Sequence, residues 1–401
     1  MNGVSEEWLV LAKTIDAAKV IYESKVQGQS LITREPPDQE VLSPIAVVIE
    51  RLPEYQAVMG STLFTLGTVS AISADALAQF VLSRAQWKSA SDAVDWLTSL
   101  LKTKTTNVVL GAAIWGIAIE KEIIFSDSSR LLSFERMPSS YGKRLIADRK
   151  KWQPSPFIWY SDRHFDVPLV AYTKEIQDVP LISSDYLGPA IINEAAQSAI
   201  ELCRLIGAVG VGRALPMAYW FEFQDAEFSG ISNAYFLSWN LPEVHPRVET
   251  IVRLDADDVS EIHATFFNLA LDWKSDLQRS MDRYALSQCR HALIDQVLDL
   301  ALAFEIAVSQ KGDNLPVRWK ASVRTAQLIG GDMEQRLSNR RLVGRLYDLR
   351  NKATHGSRLA DVDRELLSSC ATIYRLLLRR LLTFCERPDW NSIELESPRL
   401  P

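Results

Sequence analysis

Close to the C-terminal end, the string Leu346-Tyr-Asp-Leu-Arg-Asn-Lys-Ala-Thr-His-Gly-Ser357 brings Arg350, Asn351 and His355 close together. Imidazole exchanges protons near neutral pH, and guanidinium is shaped for bidentate contact with a phosphate. A set of this kind suits proton transfer beside a phosphodiester. On an ideal helix, residues five apart differ by about 500°, or about 140° once a full turn is removed. Arg350 and His355 therefore do not share a face, whereas Asn351 and His355, four apart, do. Gly356 lets the chain leave the helix directly after His355, and the arginine side chain is long enough to reach round that end.

The surrounding charge points the same way. Between residues 318 and 358 stand ten bases, Arg318, Lys320, Arg324, Arg336, Arg340, Arg341, Arg345, Arg350, Lys352 and Arg358, against three acids, Asp332, Glu334 and Asp348. The segment is thus +7 and the rest of the chain −13, within a total of −6. Arginine-rich charge of this density reads either as a site for a polynucleotide backbone or as a solvated helix face paired to acids elsewhere. A second cluster, 143–152, precedes the aromatic residues Phe157, Trp159 and Tyr160. It fits a stacking surface for single-stranded RNA, or a basic helix before a buried strand.

The elements that must hold these residues divide at about residue 255. Before it, helical periodicity covers 6–25, 74–84, 91–102 (capped by Ser91 or Ser89) and 193–206, and strand-like pieces fall at 108–110, 114–125, 131–134, 157–160, 168–172, 218–223, 234–239 and 249–254. After it, strand signals fade and helical patterns follow at 259–286, 287–310, 317–328, 333–355 and 363–384. Leu293, Val297, Leu300, Phe304 and Ala307 make one stripe, Leu342, Leu346, Leu349 and Ala353 another, and Leu366, Cys370, Ile373, Leu377 and Leu381 a third. Alternating three- and four-residue steps predict a bundle. The expected fold is α+β: a mixed α/β region of unassigned topology over 1–254, with a candidate subdivision near 105, then an all-α helical domain over 255–388 and an acidic tail over 389–401.

The 401 residues are 47% apolar and 23% charged, which excludes a largely disordered or collagen-like chain, and the net charge excludes a uniformly basic nucleic-acid coat. The four cysteines, 203, 289, 370 and 385, form no CxxC pair and are expected as reduced thiols, and the five histidines are scattered without zinc-ligand spacing. The N-terminus has no basic-then-apolar leader, and the apolar run 108–119 is too short to span a bilayer as a helix. The expectation is a cytoplasmic protein with no membrane span.

Arg350, Asn351 and His355, in an R-x4-H spacing, resemble the signature of the HEPN superfamily. The stretch 293–305, ending in Glu305, looks like the acidic and apolar helix of its Apea-like branch, and 323–330 is similar to the short helix before that branch's motif helix. The resemblance covers about 255–385. It implies a metal-independent endoribonuclease with no cofactor, of the kind found among toxins and antiphage defence effectors, cutting RNA, commonly tRNA. In that scheme a 2′-hydroxyl attacks the adjacent phosphorus, His355 moves the proton, Arg350 stabilises the added negative charge and Asn351 orients His355 or a phosphate oxygen. The products are a 2′,3′-cyclic phosphate and a 5′-hydroxyl. Arg341, Arg345, Lys352 and Arg358 would hold the RNA backbone. The resemblance also implies a homodimer through the helical domain, with 1–254 sensing a trigger or docking a substrate.

Two other functions compete: an RNA- or nucleotide-binding dimerisation module that does not cut, and an adaptor that only assembles. Weaker candidates have plainer readings. Asp255-Ala-Asp-Asp258 reads as an acidic helix start, Gly207–Gly212 lacks phosphate-loop spacing, and His164 lies in a surface loop. Asp295 and Asp299 are expected to pair with arginines of the motif helix.

Overall fold

The structure, a computed structural model, describes residues 6–27, 36–65, 68–125, 129–147, 170–184, 187–210, 214–228, 237–239, 251–310, 316–355, 359–360 and 362–395. The chain is α+β, mixed up to residue 254 and helical beyond it. In order it forms α1 (Glu6–Lys25), α2 (Gln39–Glu50), α3 (Pro53–Val58), β1 (Thr62–Thr65), β2 (Thr68–Ala71), α4 (Ala74–Trp87), α5 (Ala90–Lys102), β3 (Thr105–Trp115), β4 (Ile117–Ile119), β5 (Ile123–Ile124), β6 (Arg130–Ser133), α6 (Tyr141–Ala147), β7 (Val170–Pro180), β8 (Ile182–Ser183), α7 (Leu187–Val209), β9 (Leu215–Phe223), β10 (Leu237–Trp239) and β11 (Val252–Leu254). The helical part contains α8 (Ala256–Phe267), α9 (Leu271–Cys289), α10 (Leu293–Val308), α11 (Val317–Ile329), α12 (Met333–Thr354), α13 (Val362–Leu381) and α14 (Trp390–Leu395). No described helix is long and apolar enough to cross a membrane.

Six strands form an antiparallel sheet in the order β10-β9-β3-β7-β6-β5. Residues 108–115 of the apolar run belong to β3, an inner strand of this sheet covered on both faces, and 117–119 form β4, which pairs with β11 in a separate two-stranded sheet. Val108, Leu110, Ala112 and Ile114 enter the large core under α1, α2, α4, α5 and α7. Ala113 and Trp115 enter a smaller core on the opposite face with Leu132, Phe134, Met137, Ile146 and Trp220. The sequence pattern predicts two separate pieces here, 108–110 and 114–125, in an apolar run interrupted by two glycines. The strand is continuous, and Gly111 is the register partner of Trp220 on β9, whose indole lies across the missing side chain. The turn after β3 comes at Gly116, where φ is +85°.

Several expected boundaries move. The pattern at 259–286 is two helices, because the chain breaks at 268–270 to bury Leu269 and to let Ala270 N–H donate to the Cys385 carbonyl at 2.9 Å. The described helix α2, with Pro44 inside it, carried no clear sequence signal, yet Asp38 caps its start. Gly207 lies within the last turns of α7 rather than in a loop. Part of the expected acidic tail is α14, whose Trp390 is fully buried. The strand expected at 157–160, most of the basic cluster 143–152, His164 and the cap at Gly356 lie outside the described residues.

The bundle core is built from α8 to α14, and it takes Leu205, Ala208 and Val209 from the end of α7. That helix also gives Ala196, Ala199, Leu202, Cys203 and Ile206 to the sheet-side core. One element therefore packs into both. None of the four cysteines forms a disulfide.

A Cβ at Gly111 would fall 2.5 Å from Met137 Cε and 2.7 Å from the Trp220 ring. Replacement Gly111→Ala should therefore lower unfolding free energy by about 1–3 kcal/mol through overpacking, read as a drop in the urea midpoint. An unchanged midpoint would contradict this placement of the indole.

Candidate functional site: the end of helix α12

Helix α12 starts at a capping box, in which Asp332 accepts from Gln335 N–H and the Gln335 side chain accepts from Asp332 N–H. It runs 22 residues and ends with His355 as C-cap, φ −95° and ψ 13°. The imidazole is exposed, and the His355 N–H donates to the Asn351 carbonyl at 3.1 Å. The Thr354 hydroxyl lies within bonding distance of the Arg350 and Asn351 carbonyls, so the backbone at this end is already served. Among the described residues, no side-chain hydrogen bond or ion pair occupies Arg350, Asn351 or His355.

Three neighbours hold the helix. Tyr347 on its buried side donates from its hydroxyl to the Ala301 carbonyl of α10 at 3.2 Å. The Cys370 thiol of α13 approaches the Leu342 carbonyl at 3.5 Å, and Arg318 of α11 pairs with Asp348 at 3.0 Å. Burial pushes the Tyr347 phenol well above its ordinary range; Glu305 adds to the rise and Arg350 opposes it. Glu305 and Arg350 thus both act on the same buried ring. No ion pair closes between them among the described residues. Burial pushes the Cys370 thiol up to about 12, against the pull of Arg345, which leaves it a poor nucleophile.

Arg350 and His355 leave the helix on different sides. Leu346, Tyr347, Leu349 and Ala353 are buried, and half-buried Arg350 stands within their arc. Asn351, Lys352 and His355 are exposed. At 100° per residue, Arg341, Arg345, Asp348, Lys352 and His355 fall within about 80° of one another. The site is therefore an outward basic row with the imidazole at its end, and a guanidinium facing inward one turn before.

The ten bases divide by role. Arg318 is paired to Asp348, Lys320 is buried, Arg324 is buried against Glu394, and Arg336 donates to Gln327 at 3.3 Å. Arg340, Arg341, Arg345 and Lys352 are exposed and, with Arg350, have no acidic partner among the described residues. Arg358 lies outside them. Asp299 does not pair with α12 as expected. It accepts from Arg283 and Arg290 of the α9 region, because that side of α10 faces α9. Asp255 does cap an acidic helix start, accepting from the Asp257 and Asp258 N–H groups.

The sequence reading missed the clamp behind α10. Arg324 donates to the Val308 carbonyl at 2.6 Å and to Glu394 at 2.6 Å, under the Trp390 ring at 5.0 Å. Arg387 donates to the Ser309 carbonyl at 2.7 Å, pairs with Asp276 and lies 5.3 Å from the centre of the Trp273 ring. Two guanidiniums therefore close the C-terminal carbonyls of the helix that carries Glu305. A tryptophan beside an acid after residue 388 was the available signal. Among the described residues, no group of three or more His, Cys, Asp or Glu could hold a metal ion.

Arg324→Met leaves Glu394 and the Val308 carbonyl buried without this partner. It should lower unfolding free energy by about 3–5 kcal/mol in urea titration, and adding Glu394→Leu should recover more than half. A single variant as stable as the parent would contradict the clamp. No family model, no curated protein and no solved structure matches the chain.

Proposed function

We propose that the helical domain is a metal-independent endoribonuclease of HEPN type, acting as a pair of copies, with residues 1–254 docking or sensing what is cut. The observation that carries the reading is the end of α12. His355 closes the helix with its imidazole exposed, beside Asn351 and Lys352 and at the end of the row formed by Arg341 and Arg345, with no acid paired to these bases among the described residues. Such a row attracts a polynucleotide backbone, and the imidazole supplies the proton transfer.

With two copies facing one groove, one imidazole accepts the 2′-hydroxyl proton as the 2′-oxygen bonds to phosphorus. The P–O5′ bond breaks, and the second imidazole protonates the departing 5′-oxygen. Arg350 reaches round the helix end to the added charge on the phosphoryl oxygens. The half-burial of Arg350 beside Tyr347 favours a second reading, in which the row binds RNA and Arg350 only braces the helix.

Incubation of the full chain with total RNA in EDTA separates the two. Cleavage by the parent and a loss of at least about 100-fold in His355→Ala is expected for the nuclease. Equal cleavage by both proteins defeats it, and salt-sensitive binding without products leaves the second reading. The row makes a further prediction of opposite signs. Arg341→Ala with Arg345→Ala should weaken binding and flatten its salt slope by about 1–2, while Asp348→Asn, removing the acid within the row, should tighten it. A filter-binding series at several salt concentrations reads both.

A further inference from the structure

The first helix has two apolar faces. Trp8, Leu11, Ile15, Ala18, Tyr22 and Val26 are buried in the core. On the other side Leu9 is 56% exposed, Val10 46%, Val20 67% and Ile21 47%. At 100° per residue Leu9, Val10, Ala17, Val20 and Ile21 fall within about 120° of arc, opposite the core-facing stripe, in a row about 18 Å long. Lys19 donates to the Ala85 carbonyl at 2.8 Å, which brings alongside α1 the C-terminal end of α4, where Trp87 is 73% exposed. Four large aliphatic side chains in a single exposed row, with a tryptophan on the neighbouring helix, exceed the scattered apolar exposure of an ordinary surface.

The order of residues along the row says what covers it. Reading from either end, the row runs apolar pair, charged centre, apolar pair, and it matches its own reverse about residue 15. Laid antiparallel on a copy of itself about a two-fold axis, which keeps each flank on its own side, Leu9 meets Val20, Val10 meets Ile21, and Lys13 falls beside Ala17 and Asp16. The two-fold axis generates the Lys13–Asp16 approach twice, because Lys13 and Asp16 lie on the same flank of the face. At the ends Glu6 comes opposite Ser24, and Glu7 and Glu23, which share a level, lie about 100° to opposite sides of the face and so on opposite flanks. Lys13 and Asp16 are exposed and form no ion pair with each other or with any other described residue. We propose that the outward face of α1 is an isologous contact with a second copy of this chain.

A lipid surface fits less well. The charged residues on and beside the face are Glu6, Lys13, Asp16 and Glu23, a net of −2, which anionic headgroups repel. The contact lies in the N-terminal region and does not depend on the nuclease reading of the helical domain.

Sedimentation equilibrium of the full chain tests it. Leu9→Glu with Val20→Glu should at least halve the mass of the assembly at micromolar concentration. Lys13→Glu alone and Asp16→Lys alone should each raise the dissociation constant by about 5- to 30-fold, since each places like charges together twice. The double variant Lys13→Glu/Asp16→Lys should return to within about threefold of the parent, a recovery that misfolding cannot mimic. A monomeric parent, an assembly unchanged by Val20→Glu, or a charge-swapped double variant no tighter than its single parents overturns the proposal. So does capture of the parent by phosphatidylcholine vesicles without self-association.

Discussion

Five residues on a helix turn the chain through about 500°, and this rotation governs the candidate site. It sends Arg350 toward the bundle and His355 toward solvent, about 7.5 Å apart along the axis. Only where the helix stops can a long guanidinium pass to the side of the imidazole, and α12 stops at His355. The Thr354 hydroxyl beside the last carbonyls lets the helix end there without recruiting the side chain of Arg350 or His355. Proposed catalysis and the helix terminus are thus one feature.

The terminus is useful only if its surroundings are rigid. Tyr347 ties α12 to α10, and Arg318 ties it to α11. The far end of α10 is in turn closed by Arg324, buried against Trp390 and Glu394 of the C-terminal segment, and by half-buried Arg387, held by Trp273 and Asp276 of α9. Buried charges of this kind stabilise little by themselves but penalise any arrangement that separates them. A similar device joins the two halves of the molecule. Arg379 of α13 donates to the Val209 carbonyl at the end of α7 at 2.7 Å and pairs with Asp258 of α8 at 2.6 Å. Since α7 packs into both large cores and α13 lies against α7 and α12, the sheet and α12 are joined by a continuous packed path.

Much of the helical domain was legible because its stripes are simple. Leu366, Cys370, Ile373, Leu377 and Leu381 are all buried, as their spacing required. The first helix was read to its limits, Glu6 and Lys25. What failed were elements whose signal depends on distant residues. Gly111 looks like an interruption until Trp220 lies across it. Pro44 looks like a stop, although α2 continues past it. Glu394 looks like part of a solvated tail until Arg324 neutralises it. At the site, Asn351, Lys352 and His355 stand exposed with Arg341 and Arg345, while ion pairing and burial of Arg318, Lys320 and Arg324 show that a charge run overstates the cations free to bind.

The central claim is that a ribose 2′-oxygen is the nucleophile at the end of α12. Single-turnover cleavage of an oligoribonucleotide, compared with the same strand carrying a single 2′-deoxy nucleotide at the mapped cut, tests this most directly. The account predicts that the ribose strand yields a 2′,3′-cyclic phosphate and a 5′-hydroxyl end, and that the deoxy strand survives at that position. Cutting of the deoxy strand at an equal rate, or fragments bearing 5′-phosphate and 3′-hydroxyl ends, would contradict it.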